Sequence, residues 1–225
     1  MDLGRAFTYP FQDPQWVKKL AIALVMLIIP IVGWLILFGY MLTIARRVAL
    51  QQEPVLPEWD DFGAYLSLGA RGALVYVVWI LPVLILSGCV QPFLEFLASS
   101  DSRSSVPVAF GVLSFCVGCL AFLLSLLLSY VLPLPLSRLA VTDRIGSAFA
   151  FGDIVQEVRL VATDLLLVLF ISAIIAPFIA LLGFLLCVVG VLATILYAYL
   201  LQVHLWGQVR HKLLASPDLP APVAG

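Results

Sequence analysis

Apolar residues fall in long blocks, and charges sit only at their edges. Leu20 to Ala45, Gly72 to Leu94, Ser104 to Ser137 and Leu165 to Val209 contain no Asp, Glu, Lys or Arg. Crossing a bilayer core takes about 20 mostly apolar residues. Each block reaches that length, and the last is long enough for two crossings. The pattern predicts an all-α polytopic membrane protein. A second membrane helix is expected from about Ala73 to Leu97, kinked at Pro82 and Pro92. A third runs from Val108 to Leu132 and stops at Pro133 and Pro135. The final block splits near Ala180 to Phe184 into Leu165–Ile179 and Leu185–Val209. Ser99 to Ser105 reads as a short external loop. Residues 1–212 form one transmembrane domain, and Pro217, Pro220 and Pro222 mark a loose tail over 213–225.

Short amphipathic stretches rich in aromatics separate the blocks. In Leu56–Leu66, Trp59, Phe62 and Leu66 share one helical face; in Ala148–Val158, Phe151, Ile154 and Val158 do, with Val161 beyond. Both predict interfacial helices lying in the headgroup layer. Ala6–Asp13 resembles them, so an internal repeat is expected, with copies at Phe7–Ile29, Trp59–Ile85 and Phe149–Ile175. A second similarity pairs Ile31–Tyr40 with Val188–Tyr197, each followed by a basic cluster, Arg46 and Arg47 or Arg210 and Lys212.

The first block decides the topology. As one continuous span it gives five crossings and divides Lys and Arg four against eight. A reversal at Pro30–Gly33 makes it a re-entrant hairpin beside four full spans, and the division becomes eleven against one, with only Arg103 opposite. Cytoplasmic loops carry the Lys/Arg excess, so the hairpin gives the cleaner bias. Against it, 26 apolar residues would make a comfortable tilted helix of about 39 Å. Either way the Arg-rich loops and the C-terminus are expected in the cytoplasm.

Composition narrows the classes further. Hydrophobic residues are 63% of the 225, charged residues 11%, and mean hydropathy is +1.13. A net charge of −1 offers no basic field for nucleic acid. The segment before Leu20 carries Asp2, Asp13, Phe7, Tyr9, Phe11 and Trp16, which does not suit a cleaved signal. Cys89, Cys116, Cys119 and Cys187 all lie in apolar blocks. The C-x-x-C of Cys116 and Cys119 is flanked by Phe115, Val117, Gly118 and Leu120. That setting fits a helix contact better than redox chemistry or zinc.

Polar positions that could carry function are few. Trp59, Asp60 and Asp61 form the densest cluster, its acids binding a cation or meeting Arg46, Arg47 and Arg71 across the loop, or the cluster simply anchoring at the interface and starting a helix. Gln91 and Glu95 lie one turn apart near the end of a span, where an ionisable residue is a functional candidate. His204, with Gln202 and Gln208 nearby, reads as a hydrogen-bonded packing or interfacial residue, with no second His at metal-pair spacing. Pro30 and Gly33 could break a helix and free backbone groups for an ion or solute. Ser114 with Gly118, Ser125 with Ser129, and Ala176 with Ala180 stand at packing spacing. No hydrolase, zinc-protease, phosphate-loop or dinucleotide motif occurs. No catalytic residue, cofactor or metal site is expected.

Three stretches together resemble a known family: Ala6–Leu20, Leu56–Gly63 (Leu-Pro-Glu-Trp-Asp-Asp-Phe-Gly) and His204–Gln208. They are similar to the prokaryotic membrane family catalogued as domain-of-unknown-function 4013, over roughly residues 1–212. The resemblance implies an integral membrane protein of a prokaryotic cytoplasmic membrane and no particular activity. The expectation is a non-catalytic membrane component whose partners are membrane lipids, a second copy of the chain or another membrane protein. The alternative is a small transporter or channel built on repeats and a helix broken at Pro30 and Gly33.

Overall fold

The computed structural model describes residues 2–100, 106–183 and 187–216. Among these residues every regular element is helical: α1 (Leu3–Gln12), α2 (Trp16–Ile28), α3 (Val32–Ala49), α4 (Phe62–Ile85), α5 (Gln91–Ser100), α6 (Val106–Val131), α7 (Pro133–Thr142), α8 (Phe151–Leu160), α9 (Ala162–Phe170), α10 (Ala176–Gly183) and α11 (Cys187–Leu214). Among the described residues, five segments are long and apolar enough to cross a membrane: Val32–Ala49, Phe62–Leu97, Val108–Thr142, Ala162–Ile179 and Gly190–Leu214. The chain is a multi-pass helical membrane protein. The expected Ser99–Ser105 loop, the Phe184 split, the Ala176/Ala180 pair, Cys187's side chain and the Pro217, Pro220 and Pro222 tail fall wholly or partly outside the described residues.

The chain divides into two compact units, Met1–Val75 with Pro133–Gly225, and Tyr76–Leu132. In the larger unit, Leu20–Ala45 is not one helix. It breaks after Ile28, and Ile31 takes φ 62° and ψ −72° while the Val32 amide donates to the Pro30 carbonyl at 2.8 Å. This is a tight γ-turn, a geometry costly for a β-branched residue. The chain then reverses. Lys19 of α2 and Tyr40 of α3 both bond the Leu56–Pro57 backbone, although a continuous helix would hold them about 30 Å apart. Gly33 is helical, and the positive φ falls on Ile31 instead. A Cβ at Gly33 would strike the Met26 carbonyl, so the role of this glycine is close approach of the two arms.

Glycine sets the other tight crossings of this unit too. A Cβ at Gly39 would collide with the Tyr65 carbonyl, and one at Gly69 with the Leu35 carbonyl, so α3 and α4 meet backbone to backbone. Gly207 of α11 packs on Ala45 and Val48 of α3, and Gly183 of α10 on Gly190 and Thr194 of α11. His211 accompanies Ala49 and Gly207 accompanies Ala45, so α3 and α11 run parallel. Helix α1 runs antiparallel to α11: Gln208 clasps both backbone groups of Asp2, while Tyr9 reaches the Leu200 carbonyl.

The expected helix over Leu56–Leu66 forms only from Phe62 onward. Residues 56–61 are non-helical, and Asp61 caps α4 by accepting from the Ala64 amide at 2.9 Å. A buried loop must satisfy its carbonyls. Here side chains do so in succession: Lys19 on Leu56, Tyr40 on Pro57 and Tyr65 on Glu58.

In the smaller unit, α4 continues unbroken through Pro82, and the irregularity lies at a π-helical turn, Leu86–Val90. Pro92 has no N–H for the Gly88 carbonyl, and the Gln91 amide bonds Leu86 instead, five residues back. In the larger unit a second π-helical turn, Ile171–Ile175, likewise ends two residues before a proline, Pro177. Helices α5 and α6 pack together with Gly118 against the Gln91 amide, and Ser114 is buried.

Candidate functional site

Three polar assemblies occupy the larger unit. The first is built around Lys19, whose side chain is 1% exposed. Lys19 follows Trp16 by three residues and precedes Ala23 by four, which puts it on the inward face of α2. Its ammonium has three donors and uses all of them: Asp13 Oδ2 at 2.7 Å, Glu58 Oε1 at 2.7 Å and the Leu56 carbonyl at 3.1 Å. Burial alone would lower its pKa, but the bonds to Asp13 and Glu58 outweigh that and raise it above 10.5. Asp13 spends its other oxygen on the Gln15 amide at the start of α2. Trp59 donates to the Lys19 carbonyl and stacks on Tyr40 with ring centroids 4.1 Å apart. Tyr65 meets both rings edge-on. The assembly is a clasp that ties the loop after α3 to both arms of the hairpin.

The second assembly is centred on Arg210. Its guanidinium holds Glu157 of α8, the Leu134 carbonyl and the Ser137 hydroxyl of α7. Arg138 reaches the same carboxylate at 3.8 Å and Asp153 at 2.6 Å. One helix end of α11 is thereby fixed to α7 and α8.

The third is a cavity of about 650 Å³. Its lining includes the polar residues Asp2, Arg5, Arg47, Gln51, Gln52, Glu53, Gln208, His211 and Lys212 and the apolar residues Val48, Val55, Leu160, Val161 and Leu213. Arg5 pairs with Glu53, and Lys212 with Asp164. Arg47 donates to the Pro54 carbonyl at 2.8 Å, a neutral partner. His211 Nδ1 lies 2.9 Å from the Ala49 carbonyl, so that nitrogen carries the proton. His204 also lines the cavity. It is 1% exposed and stacks on Tyr9 at 4.3 Å, and neither ring nitrogen has a hydrogen-bond partner among the described residues. Burial pushes the Tyr9 phenol well above its ordinary pKa, so it stays protonated and donates to Leu200.

The residues singled out from sequence do not converge on one place. Trp59 joins the Lys19 clasp. Asp61 is a helix cap, and Asp60 is exposed beside it; neither pairs with Arg46, Arg47 or Arg71 among the described residues. Arg71 instead holds Asp143. Gln91 and Glu95 bond each other at 3.4 Å in the smaller unit. Pro30 lies in the hairpin turn and Gly33 in the first turn of α3, and the Leu27 and Pro30 carbonyls there are taken by the Trp34 indole and the Val32 amide. His204 is buried and stacked on Tyr9, with no hydrogen-bond partner among the described residues. Cys89, Cys116 and Cys119 are exposed free thiols. Among the described residues no group of His, Cys, Asp and Glu is arranged to hold a metal.

Sequence reasoning passed over Lys19, Glu157 and Arg210. Glu157 carried a signal: it stands between Ile154 and Val161 on the apolar stripe of α8, and an acid there announces a buried partner.

No curated protein and no solved structure matches the chain. One family model matches residues 22–203, which includes the Leu56–Gly63 stretch and leaves Ala6–Leu20 and His204–Gln208 outside. On that match, the chain belongs to the family described as Protein of unknown function (DUF4013).

Proposed function

We propose that this protein is a non-catalytic component of a prokaryotic cytoplasmic membrane that packs against lipid or a partner membrane protein. One observation carries the reading: the buried carboxylates, lysine and arginine among the described residues are engaged with each other. Lys19 is spent on Asp13 and Glu58, and Arg210 on Glu157. Groups locked in this way serve as fasteners and are poorly placed for proton transfer or ion relay. Apolar faces point outward, with Phe115, Phe122, Leu123 and Leu127 of α6 more than half exposed.

The N-terminus and C-terminus share the cytoplasmic side in this proposal. Support comes from Asp2 on Gln208 and from Arg5 on Glu53, which bring the chain start to the ends of α11 and α3. Those ends carry Arg46, Arg47, Arg210 and Lys212, and the Lys/Arg bias places such ends inside. Thirteen-residue α2 is too short to cross alone, which favours re-entry of the α2–α3 hairpin. Parallel α3 and α11, each with a glycine at a hairpin contact, Gly33 and Gly190, support the second internal similarity. Helices α1 and α8 fit interfacial positions, with Phe11, Phe151 and Val155 facing outward.

The transporter or channel alternative rested on free backbone groups at Pro30 and Gly33. Two of the carbonyls there are already bonded internally. Reconstitution of the purified protein into vesicles tests the choice. The expected result is no saturable flux of ions or small solutes above protein-free vesicles, with a stoichiometric lipid or protein retained after extraction in native-lipid discs. Saturable, protein-dependent flux would overturn the proposal.

A further inference from the structure

We infer that the cavity lined by His204 and Arg47 binds an anionic, phosphate-bearing group, carried by a lipid headgroup or by a soluble phosphate ester. This goes beyond the packing role proposed above and stands on separate observations.

The first is His204. A neutral imidazole has one donor and one acceptor, and burying both without partners is unfavourable. Its ring lies in the cavity wall, with Tyr9 stacked on one face. A phosphate oxygen or ester hydroxyl reaching the ring would satisfy it. The second is the charge of the wall. Arg5 is neutralised by Glu53 and Lys212 by Asp164. Asp2 caps α1 by accepting the Arg5 amide and keeps its negative charge, so the wall together with Asp164 is formally balanced. Arg47 has a neutral carbonyl as its hydrogen-bond partner and no ion-pair partner among the described residues, so its guanidinium is the cation left to meet an anion. A guanidinium is suited to phosphate, which it can meet with paired donors. The third is the make-up of the wall. Gln51, Gln52 and Gln208 add neutral polar groups to the lining, and Val48, Val55 and Leu213 add apolar ones. About 650 Å³ is room for a headgroup with its glycerol, or for a small sugar or glycerol phosphate.

The test uses delipidated full-length protein in a neutral detergent. Native mass spectrometry reads binding of phosphatidylglycerol against phosphatidylcholine of the same chains, and calorimetry reads binding of glycerol 3-phosphate. Phosphatidylglycerol bound in preference to phosphatidylcholine, without glycerol 3-phosphate binding, identifies a lipid headgroup; glycerol 3-phosphate binding identifies the soluble ester. Both support the inference. Arg47→Gln and His204→Phe should each weaken binding roughly tenfold or more, the loss expected for one charge-assisted or buried hydrogen bond. His204→Phe keeps the stack on Tyr9 and removes only the nitrogens. Arg159→Gln, on the outer face of α8, should leave binding unchanged. Gln52→Glu, an exposed position in the cavity wall, should weaken binding and keeps the test decisive if Arg47→Gln fails to fold. Absence of binding to both probes, affinity indifferent to His204→Phe and Gln52→Glu, or an equal loss in Arg159→Gln would overturn the inference. None of these outcomes depends on the flux measurement above.

Discussion

Arg210 grips Glu157 at two points, Nη1 to Oε1 at 2.7 Å and Nη2 to Oε2 at 3.1 Å, with both side chains 4% exposed. The planar guanidinium matches the carboxylate, and its remaining donors go to the Leu134 carbonyl and Ser137. Three helices from separate parts of the sequence, α7, α8 and α11, meet at this one contact.

Breaking one half of such a pair strands a buried charge, so Arg210→Met should destabilise the protein by about 3–5 kcal/mol. Replacing both members restores an uncharged interior, and Arg210→Met with Glu157→Met should recover most of that loss. Thermal unfolding in detergent checks it. A double variant as unstable as the single one would show that the bonds to Leu134 and Ser137 carry the stability instead.

The Lys19 clasp has a pH signature. The folded-state pKa of Lys19 is raised above 10.5, the ordinary lysine value. Its contribution to stability is therefore complete below that ordinary value and is lost as pH rises through the higher folded-state value. The stability gap between wild type and Lys19→Met should stay constant from pH 7 to about 10 and narrow above it. A gap that widens at high pH would refute the assignment.

At the hairpin turn, the strained residue is Ile31, with φ 62°. Glycine takes this angle without a Cβ penalty, so Ile31→Gly should raise stability by about 1 kcal/mol. Gly33→Leu should do the reverse, because the new side chain meets the Met26 carbonyl. The comparison of melting temperatures decides; equal losses in both variants would mean that the side chain of Ile31 contributes more than its backbone costs.

Block length and charge spacing made the helical membrane class legible, along with the positions of the long helices. The hairpin was legible only as one of two options, because Pro30 marks a break without giving its angle. Helical start at Phe62 was not readable from periodicity: Trp59, Phe62 and Leu66 keep helical spacing, yet Lys19, Tyr40 and Tyr65 hold residues 56–58 in a loop. Those partners lie up to 37 residues away in sequence, beyond any local pattern. The close crossings were missed for a similar reason. Gly39 and Gly69 belong to different helices, and nothing within either helix says that they face one another. His204 was visible as a polar position in the last helix, but its lack of partners is a property of the assembled unit.

Topology gives the last prediction. Arg5 pairs with Glu53, and Asp2 is clasped by Gln208, so positions 12 and 52 should lie on the same side of the membrane. Arg71 at the start of α4 holds Asp143, which ties the loop containing Ser147 to that same end. The Lys/Arg excess assigns this side to the cytoplasm. In a background lacking the four native cysteines, single cysteines at Gln12, Gln52 and Ser147 should all resist a membrane-impermeant thiol reagent applied to intact cells. All three should react once the membrane is permeabilised. Labelling of all three from outside would invert the orientation and leave the fold intact. Labelling at position 12 alone would require residues 20–45 to cross as one span, which the Lys19 and Tyr40 bonds to the same short loop forbid.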